Sequence, residues 1–397
     1  MKRREWLAAA ATLSSIGALG VLPGCATQVL RGTGDLGVVI GRANGTLYLV
    51  DTTAQALIGE VPGLGDLSHA SVVFSRDGLF AYVFGRDGGL TQVHLLERRI
   101  TRRVMQAGNS IGGAISADGT LVAAQNYTPG GVKVFDARTL ELLAHIPAEY
   151  GPGKLSRVVG LVDLPGRRFA YSLFDANAIW VTDCSDPKNP KTTKFENIGR
   201  QPYDALVTPN GRHYIAGLFG EDGLAQLDLW ATDPKVQRIL GGYGKGQEPL
   251  PVYKMPHLRG WAVAGRRAYL PAIGRHEVLV VDTETWAEVG RIPVAGQPVF
   301  VMARPDGRQV WVNFSVPDYH RVQVIDTQSQ AIVQTLEPGK AVLHMEFTPR
   351  GEAVWISSRD DHRVSVIDTQ SFATRARLDV PAPSGIFFTA RAARVGF

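Results

Sequence analysis

The chain has 397 residues, of which 45% are hydrophobic and 20% charged, and its formal net charge is +5. This composition is typical of a soluble globular protein and excludes an intrinsically disordered chain. The basic residues form no run of five or six, so the charge does not favour nucleic-acid binding. Dispersed arginines are better suited to a small ligand that carries several negative charges.

The first 24 residues are typical of an export signal, and we predict a lipoprotein signal peptide over residues 1–24. Basic residues at positions 2–4 precede an apolar stretch over 6–22, which is short for a membrane-spanning helix. The sequence LPGC ending at Cys25 is similar to a lipobox, and the early arginine pair is similar to a twin-arginine export signal. We therefore expect a periplasmic protein with a lipid anchor on Cys25, although an uncut transmembrane anchor is the alternative. A tether is predicted over 25–35.

Two sequence features limit the cofactors. If Cys25 carries lipid, Cys184 is the one thiol left, which excludes an intrachain disulfide and a cysteine-rich zinc site. A formal G-x-G-x-x-G occurs at 32–37, but a dinucleotide fold needs this motif between a strand and a helix. Here the motif follows the tether and precedes a strand. We therefore expect no NAD cofactor.

A short strand that usually ends in Asp recurs along the chain at steps of 41 to 54 residues. A turn ending in glycine recurs with the same period, as in FSRDG (ending at Gly78) and ISADG (ending at Gly119). Four short strands every 40 to 50 residues are typical of a β-propeller blade. The eight recurring strands are LYLVD (47–51), TQVHL (91–95), VKVFD (132–136), IWVTD (179–183), AQLDL (225–229), VLVVD (278–282), VQVID (322–326) and VSVID (364–368).

These repeats predict an all-β, eight-bladed β-propeller over 36–397, with almost no helix after the signal peptide. The ring is expected to close when residues 36–42 add a strand to the last blade, since closure removes exposed sheet edges. The loops before the inner strands and those between strands two and three share one face. That rim is rich in Arg, His and Tyr, whereas the glycine turns occupy the opposite rim. It is therefore the predicted ligand face.

His69 heads the inner strand of the first full repeat, so it is either a satisfied polar group at a strand end or faces a ligand. The sequence contains neither H-E-x-x-H nor G-x-S-x-G, so zinc-dependent or triad hydrolysis has no support. Five later histidines lie on the same rim without the spacing of a metal motif: His257, His276, His320, His344 and His362.

The segment DLSHASVVFSRDGLFAYVFGRDGGLTQVHL (66–95) resembles the haem d1 domain of cytochrome cd1 nitrite reductases. In that family a histidine at the head of an inner strand ligates the haem iron, which implies that His69 is an axial iron ligand. The resemblance also places Arg86 on the next rim loop. The loop MPHLRG is similar to a Pro-His and Arg-Gly loop of the family, which implies that His257 and Arg259 lie near the ligand.

The opening LRGTGDLGVVIGRANGTLYLVD (30–51) and the signal peptide are together more similar to the NirF family of exported haem d1 biosynthesis proteins. The reductases carry distal histidines that bind nitrite, but here QPYDALV stands at one such place and supplies Tyr203 and Asp204. Nitrite reduction is therefore not expected, whereas tetrapyrrole binding is. The candidates for binding the carboxylates at the edge of the ring are Arg86, Arg157, Arg200, Arg259 and Arg275.

The resemblance implies a haem d1 biosynthesis protein that binds haem d1 or a dihydro-haem d1 precursor and supports an oxidative step on a side chain. Asp204 and Tyr203 are the candidates for the base that such a step needs. The alternative is a non-catalytic carrier that delivers the tetrapyrrole to nitrite reductase or to other maturation proteins. A propeller that binds only protein is a third possibility, and it predicts no haem uptake.

Overall fold

The computed structural model describes residues 31–243 and 261–394. Within these ranges the chain forms eight four-stranded antiparallel sheets, which confirms the predicted eight-bladed β-propeller. The predicted signal peptide, Cys25, His257 and Arg259 lie outside the described residues. No helix in the described part of the chain combines the length and the apolar character needed to cross a membrane.

The strands are numbered in chain order, and the blades are numbered from the first one formed by consecutive strands. Blade eight contains β1 (Leu36–Gly41), β2 (Thr46–Asp51) and β3 (Ala56–Val61). Blade one contains β4 (Ser71–Phe74), β5 (Phe80–Phe84), β6 (Gly89–His94) and β7 (Arg99–Met105). Blade two contains β8 (Asn109–Ile115), β9 (Leu121–Thr128), β10 (Gly131–Asp136) and β11 (Leu142–Ile146). A small hairpin, β12 (Glu149–Gly151) and β13 (Lys154–Leu155), follows.

The remaining blades follow the same plan. Blade three contains β14 (Val158–Leu164), β15 (Arg168–Leu173), β16 (Ala178–Asp183) and β17 (Lys191–Phe195), and blade four contains β18 (Pro202–Val207), β19 (His213–Leu218), β20 (Leu224–Asp228) and β21 (Val236–Ile239). Blade five contains β22 (Ala262–Ala264), β23 (Arg267–Ala272), β24 (Glu277–Asp282) and β25 (Glu288–Pro293), and blade six contains β26 (Pro298–Ala303), β27 (Gln309–Phe314), β28 (Val322–Asp326) and β29 (Ala331–Leu336). Blade seven contains β30 (Val342–Phe347), β31 (Ala353–Ser358), β32 (Arg363–Asp368) and β33 (Thr374–Asp379), and β34 (Pro383–Phe388) is the inner strand of blade eight. Short 3₁₀ turns occur at Ile273–Arg275 and Thr389–Ala393.

Blade eight joins the two ends of the described chain. β1 pairs with β34, as predicted for residues 36–42, and β2 and β3 then complete the sheet. The sequence predicts one strand of the last blade from this end of the chain, whereas the structure shows three, and β1 is the first of them. The buried Trp355 of blade seven packs edge-on against Phe388 of blade eight, with 5.6 Å between ring centroids. Large aromatic contacts of this kind bury apolar area between neighbouring blades and hold the ring closed.

The two recurring sequence signals correspond to two kinds of turn. The glycines that end FSRDG and ISADG have φ of 69° at Gly78 and 74° at Gly119, a left-handed conformation that glycine adopts without strain. The recurring Asp caps the turn between strands three and four of a blade. Asp282, for example, accepts the N–H groups of Glu284 and Thr285 at 3.0 and 2.9 Å. The side chain thereby takes two backbone donors that the tight turn would leave unpaired.

The inner strands keep a common register with the glycine turn. His344 pairs with Ser357 in blade seven, just as Ser71 pairs with Phe84 in blade one. Each of these inner residues lies seven positions before its turn glycine. Counting back seven positions from Gly119, Gly211 and Gly307 gives the equivalent residues of three other blades. Together these residues form one level of the channel wall, here called the ring level. It consists of Ser71, Gly112, Asp204, Phe300 and His344, and all five line the central cavity.

Candidate functional site at the mouth of the channel

A cavity of about 900 Å³ follows the propeller axis and is walled by the inner strands. One end, here called the mouth, includes Arg42, His69 and Tyr203, and the other includes Pro349 and Arg391. Cavities of this volume accept a drug-sized or cofactor-sized ligand. Much of the wall is apolar, with a few polar side chains, which is the surface that a flat apolar ligand with polar substituents requires.

His69 lies two residues before β4, is exposed to solvent and lines the cavity. Its loop is held in place by Asp66, whose carboxylate accepts the Ser68 N–H at 2.8 Å, while the Asp66 carbonyl accepts the Arg86 N–H at 2.8 Å. The hydrogen bonds from Ser68 lower the pKa of Asp66, so this carboxylate stays ionised. The imidazole is thus presented at the mouth by a loop that these hydrogen bonds hold in place, as a ligand-binding residue requires.

Two arginines near His69 have no carboxylate in direct contact among the described residues, although the charge of Asp66 acts on both of them and that of Asp360 acts on Arg42. Within 31–243 and 261–394, the guanidinium groups of Arg42 and Arg86 make no hydrogen bond or ion pair with a carboxylate. Arg42 is half-buried at the mouth, and its pKa is lowered by burial and then by the nearby Arg359 guanidinium. A partly desolvated guanidinium beside a second one favours an arriving anion. Arg86 has the adjoining Asp87 nearby, but that carboxylate is bound by Arg103 at 2.7 Å.

The other predicted arginines have different surroundings. Arg157 binds Asp175 through two nitrogens at 2.6 and 3.0 Å, and this hydrogen bonding raises the pKa of Arg157. Arg200 is 70% exposed and donates to Glu221 at 3.2 Å. Arg275 is exposed on the 3₁₀ turn of blade five. Neither these three side chains nor that of Arg86 lines the cavity, whereas the unpredicted Arg42 does. Their role in ligand binding remains a prediction.

Tyr203 and Asp204 lie next to each other on β18 and both line the cavity. The Tyr203 hydroxyl is 3.0 Å from that of Tyr127, a residue at the end of β9 that the sequence analysis missed. Burial raises the pKa of both tyrosines, and the charge of Asp204 raises them further. The two phenols therefore stay protonated at neutral pH, which leaves the carboxyl group of Asp204 as the candidate proton acceptor of this group.

The far end of the cavity is lined by charged groups that bind one another. Arg76 donates to Asp163 at 3.0 Å and to the carbonyl of Ala392 at 3.0 Å. Arg391 donates to Glu346 at 2.7 Å. The 3₁₀ turn Thr389–Ala393 is thus tied to the base of the channel. Among the described residues, no group of three or more His, Cys, Asp or Glu side chains could hold a bare metal ion.

The residues that the sequence analysis missed had no local signal. Arg42 lies in the β1–β2 loop and resembles every other rim arginine in the sequence. Tyr127 lies 76 residues from its partner Tyr203, so only the folded ring brings them together.

The comparisons with known proteins agree with this fold. The sequence profile of the Cytochrome D1 heme domain matches residues 31–392. Protein NirF of Stutzerimonas stutzeri is 60% identical, over 96% of this chain and 98% of the relative. Dihydro-heme d1 dehydrogenase of Pseudomonas aeruginosa is 28% identical, over 80% of this chain and 64% of the relative. The solved structure of dihydro-heme d1 dehydrogenase NirN in complex with DHE superimposes with a TM-score of 0.80 at 25% identity, covering 92% of this chain and 78% of that one.

Proposed function

Since the chain belongs to the Cytochrome D1 heme domain family, we propose that it acts in haem d1 biosynthesis and binds a late haem d1 precursor at the mouth of the channel. The observation that carries this proposal is the cavity of about 900 Å³ with the exposed imidazole of His69 at its mouth. The imidazole would ligate the iron of the tetrapyrrole from blade one. Arg42 and Arg86, which lack a carboxylate partner among the described residues, would bind carboxylates at the edge of the ring.

We further propose that the bound precursor undergoes oxidation of a propionate side chain to an acrylate. The saturated –CH₂–CH₂– unit becomes –CH=CH–, and two protons and two electrons leave it. The electrons pass from the tetrapyrrole to an external electron acceptor, Asp204 takes one of the two protons, and the other proton is released to water. Support comes from the position of Asp204 on blade four, across the cavity from blade one, and from the similarity to dihydro-heme d1 dehydrogenase.

The experiment mixes purified protein with dihydro-haem d1 and an electron acceptor, without oxygen, and follows the absorption spectrum over time. An immediate shift that is absent in His69→Ala supports axial ligation. A slow change to the haem d1 spectrum that is lost in Asp204→Asn, with the immediate shift retained, supports the oxidation. A shift without any slow change identifies a carrier. If wild-type protein gives no shift at all, both the enzyme and the carrier are wrong.

We also propose that the protein is exported and held at a membrane by lipid on Cys25, with nitrite reductase and other maturation proteins as its partners in the periplasm. The support is the LPGC sequence that follows a basic and apolar leader. Replacement Cys25→Ser should move the protein from the membrane fraction to the soluble periplasmic fraction. Retention of the variant on the membrane would instead indicate an uncut anchor.

A further inference from the structure

A small polar recess interrupts the channel wall between blades one and two. Gly112 of the ring level has no side chain, so Gln125, its partner on the neighbouring strand β9, reaches the cavity past it, and Ser71 borders the same space. A methyl group on Gly112 would lie 3.0 Å from Nε2 of Gln125 and 3.4 Å from the Ser71 hydroxyl oxygen. These three residues, here called the notch, have no role in the proposed function.

The orientation of the Gln125 amide is fixed. Gln125 is 7% exposed, and its Oε1 accepts the backbone N–H of Leu161 at 2.9 Å. Because a backbone N–H is always a donor, the side-chain atom that faces it must be the oxygen, and the NH₂ group therefore faces the notch. The Ser110 hydroxyl donates to the Gln125 carbonyl at 2.7 Å and holds the backbone in place. The amide thus presents its donor to the cavity in one orientation.

Both polar groups of the notch are available as donors. Among the described residues, no acceptor takes a proton from the Gln125 NH₂ group or from the Ser71 hydroxyl, whose oxygen is buried. A buried donor that lacks an acceptor is unfavourable, so a ligand oxygen that accepts from it is bound more tightly than one that meets a solvated donor. The notch therefore favours a ligand atom that accepts hydrogen bonds.

The charge of the notch indicates which kind of acceptor it takes. Its two donors are uncharged, and no arginine or lysine in the described part of the chain bonds to either of them. A carboxylate buried against neutral donors keeps an uncompensated charge, which is unfavourable in a largely apolar cavity. An uncharged carbonyl oxygen has two lone pairs and carries no such cost. The notch is therefore suited to a carbonyl oxygen, whereas Arg42 and Arg86 are suited to carboxylates.

The notch lies within reach of a ligand at His69. Ser71 follows His69 by two residues, and two extended residues span at most about 7 Å. This step rests on the proposed function, because it takes His69 as the residue that binds the iron. We propose that Gln125 and Ser71 bind a carbonyl oxygen of the tetrapyrrole, and that this contact selects rings that carry a carbonyl group over rings that carry none. Gly112 leaves the space that the oxygen occupies.

The test compares the affinities for haem d1 and for iron protoporphyrin IX, whose only C=O groups are those of its propionates. Dissociation constants are measured by absorbance titration of the full chain, and their ratio gives the selectivity for haem d1. In Gln125→Leu the selectivity should fall about tenfold, the effect of one hydrogen bond to a ligand acceptor. Gly112→Ala keeps both donors but fills the notch, and it should have a similar effect. Alanine is compatible with the backbone there, because the φ of Gly112 is not positive.

Gln125→Glu separates binding from a structural role. Glutamate keeps an oxygen that accepts the Leu161 N–H, and its second oxygen donates only while the carboxyl group is protonated. The selectivity of Gln125→Glu should therefore fall as the pH rises and the carboxyl group ionises. A merely structural role of Gln125 would not produce this dependence, so a selectivity that stays at the wild-type value at every pH would overturn the proposal.

Asn313→Leu is the matched control, because it removes another buried amide that lines the cavity. Both ends of the Asn313 amide are bonded inside the protein, since its oxygen accepts the Phe300 N–H at 2.8 Å and its nitrogen donates to the Val342 carbonyl at 2.9 Å. The variant should lower the melting temperature and leave the selectivity unchanged. A loss of selectivity as large as that of Gln125→Leu would show that any change in the wall has this effect, and would overturn the proposal.

Thermal unfolding verifies that each variant is folded. If Gln125→Leu is unstable, Ser71→Ala supplies the comparison, because the Ser71 hydroxyl has no bond inside the described protein to lose, and its removal should lower the selectivity several-fold. Unchanged selectivity in folded Gln125→Leu, or in Ser71→Ala in its place, would overturn the proposal while leaving the proposed function intact. Absence of His69-dependent binding in the wild type would overturn both.

Discussion

Replacement of Arg42 by Gln should weaken binding of haem d1 far more than the same change at Arg200. Arg42 is half-buried at the mouth of the cavity, and no carboxylate of the described residues pairs with it. Burial and the Arg359 guanidinium already lower its pKa, so the free protein bears the cost of holding this charge. A carboxylate of the ligand would relieve that cost when it binds.

The magnitude follows from the type of contact. A hydrogen bond to a charged group contributes about 1.5–3 kcal/mol, so Arg42→Gln should raise the dissociation constant by about 10-fold to 150-fold. Arg200 is 70% exposed and already donates to Glu221. Exposed ion pairs contribute about 0–1 kcal/mol, so Arg200→Gln should change the constant by less than about fivefold.

Absorbance titration with haem d1 at fixed ionic strength gives both constants, and Arg42→Lys shows whether charge alone is sufficient. Lysine keeps the charge but not the planar guanidinium that binds both oxygens of a carboxylate. The dissociation constant of Arg42→Lys should therefore lie between those of wild type and Arg42→Gln. Equal effects of Arg42→Gln and Arg200→Gln would refute the reasoning, because they would show that pairing inside the protein does not determine which arginine binds the ligand.

Three further outcomes are expected. Arg76→Met removes a partner of the buried Asp163 and should lower the free energy of unfolding by about 3 kcal/mol, measured by denaturant titration. A loss under about 1 kcal/mol would contradict the role of this contact at the channel base. Because the bond from Arg212 lowers the pKa of Asp228 to about 2, below its value in the unfolded chain, this carboxylate stabilises the fold above about pH 4 and the effect is lost as pH falls towards 2. Melting temperatures over that range should therefore fall less steeply in Asp228→Asn than in wild type, and parallel curves would contradict this. Tyr127→Phe should slow conversion of dihydro-haem d1 about tenfold with binding nearly unchanged, because it frees the Tyr203 hydroxyl; a fall in binding alone would show a merely structural role.

The fold could be predicted because short local sequence patterns specify its repeated strands and turns. A strand that ends in Asp must turn at once, and the structure shows why: the carboxylate of Asp282 binds two N–H groups of the next turn. The glycine turns need a positive φ, which Gly78 supplies. Both signals depend on residues within five positions of each other, so eight repetitions predicted eight blades.

The site was less predictable because its chemistry depends on pairs that the sequence does not show. Arg157 and Asp175 are 18 residues apart, just before β14 and just after β15 of blade three, and their ion pair reduces the charge that a ligand meets. Arg42 and Arg157 cannot be distinguished by residue type or by their place on the rim. Burial, pairing and access to the cavity separate them, and all three are properties of the closed ring.

The closed ring also links ligand binding to stability. Arg42 belongs to blade eight, whose strands come from both ends of the described chain, while His69 belongs to the neighbouring blade one. The site that we propose therefore includes the blade at which the ring closes. A ligand that binds both residues must bind the closed ring more tightly than an opened one, and it therefore stabilises closure by mass action. By the same mass action, the rise in melting temperature caused by the ligand should be smaller in Arg42→Gln than in wild type by the amount that the weaker affinity requires. A rise as large as that of wild type at the same ligand concentration would contradict the role of Arg42.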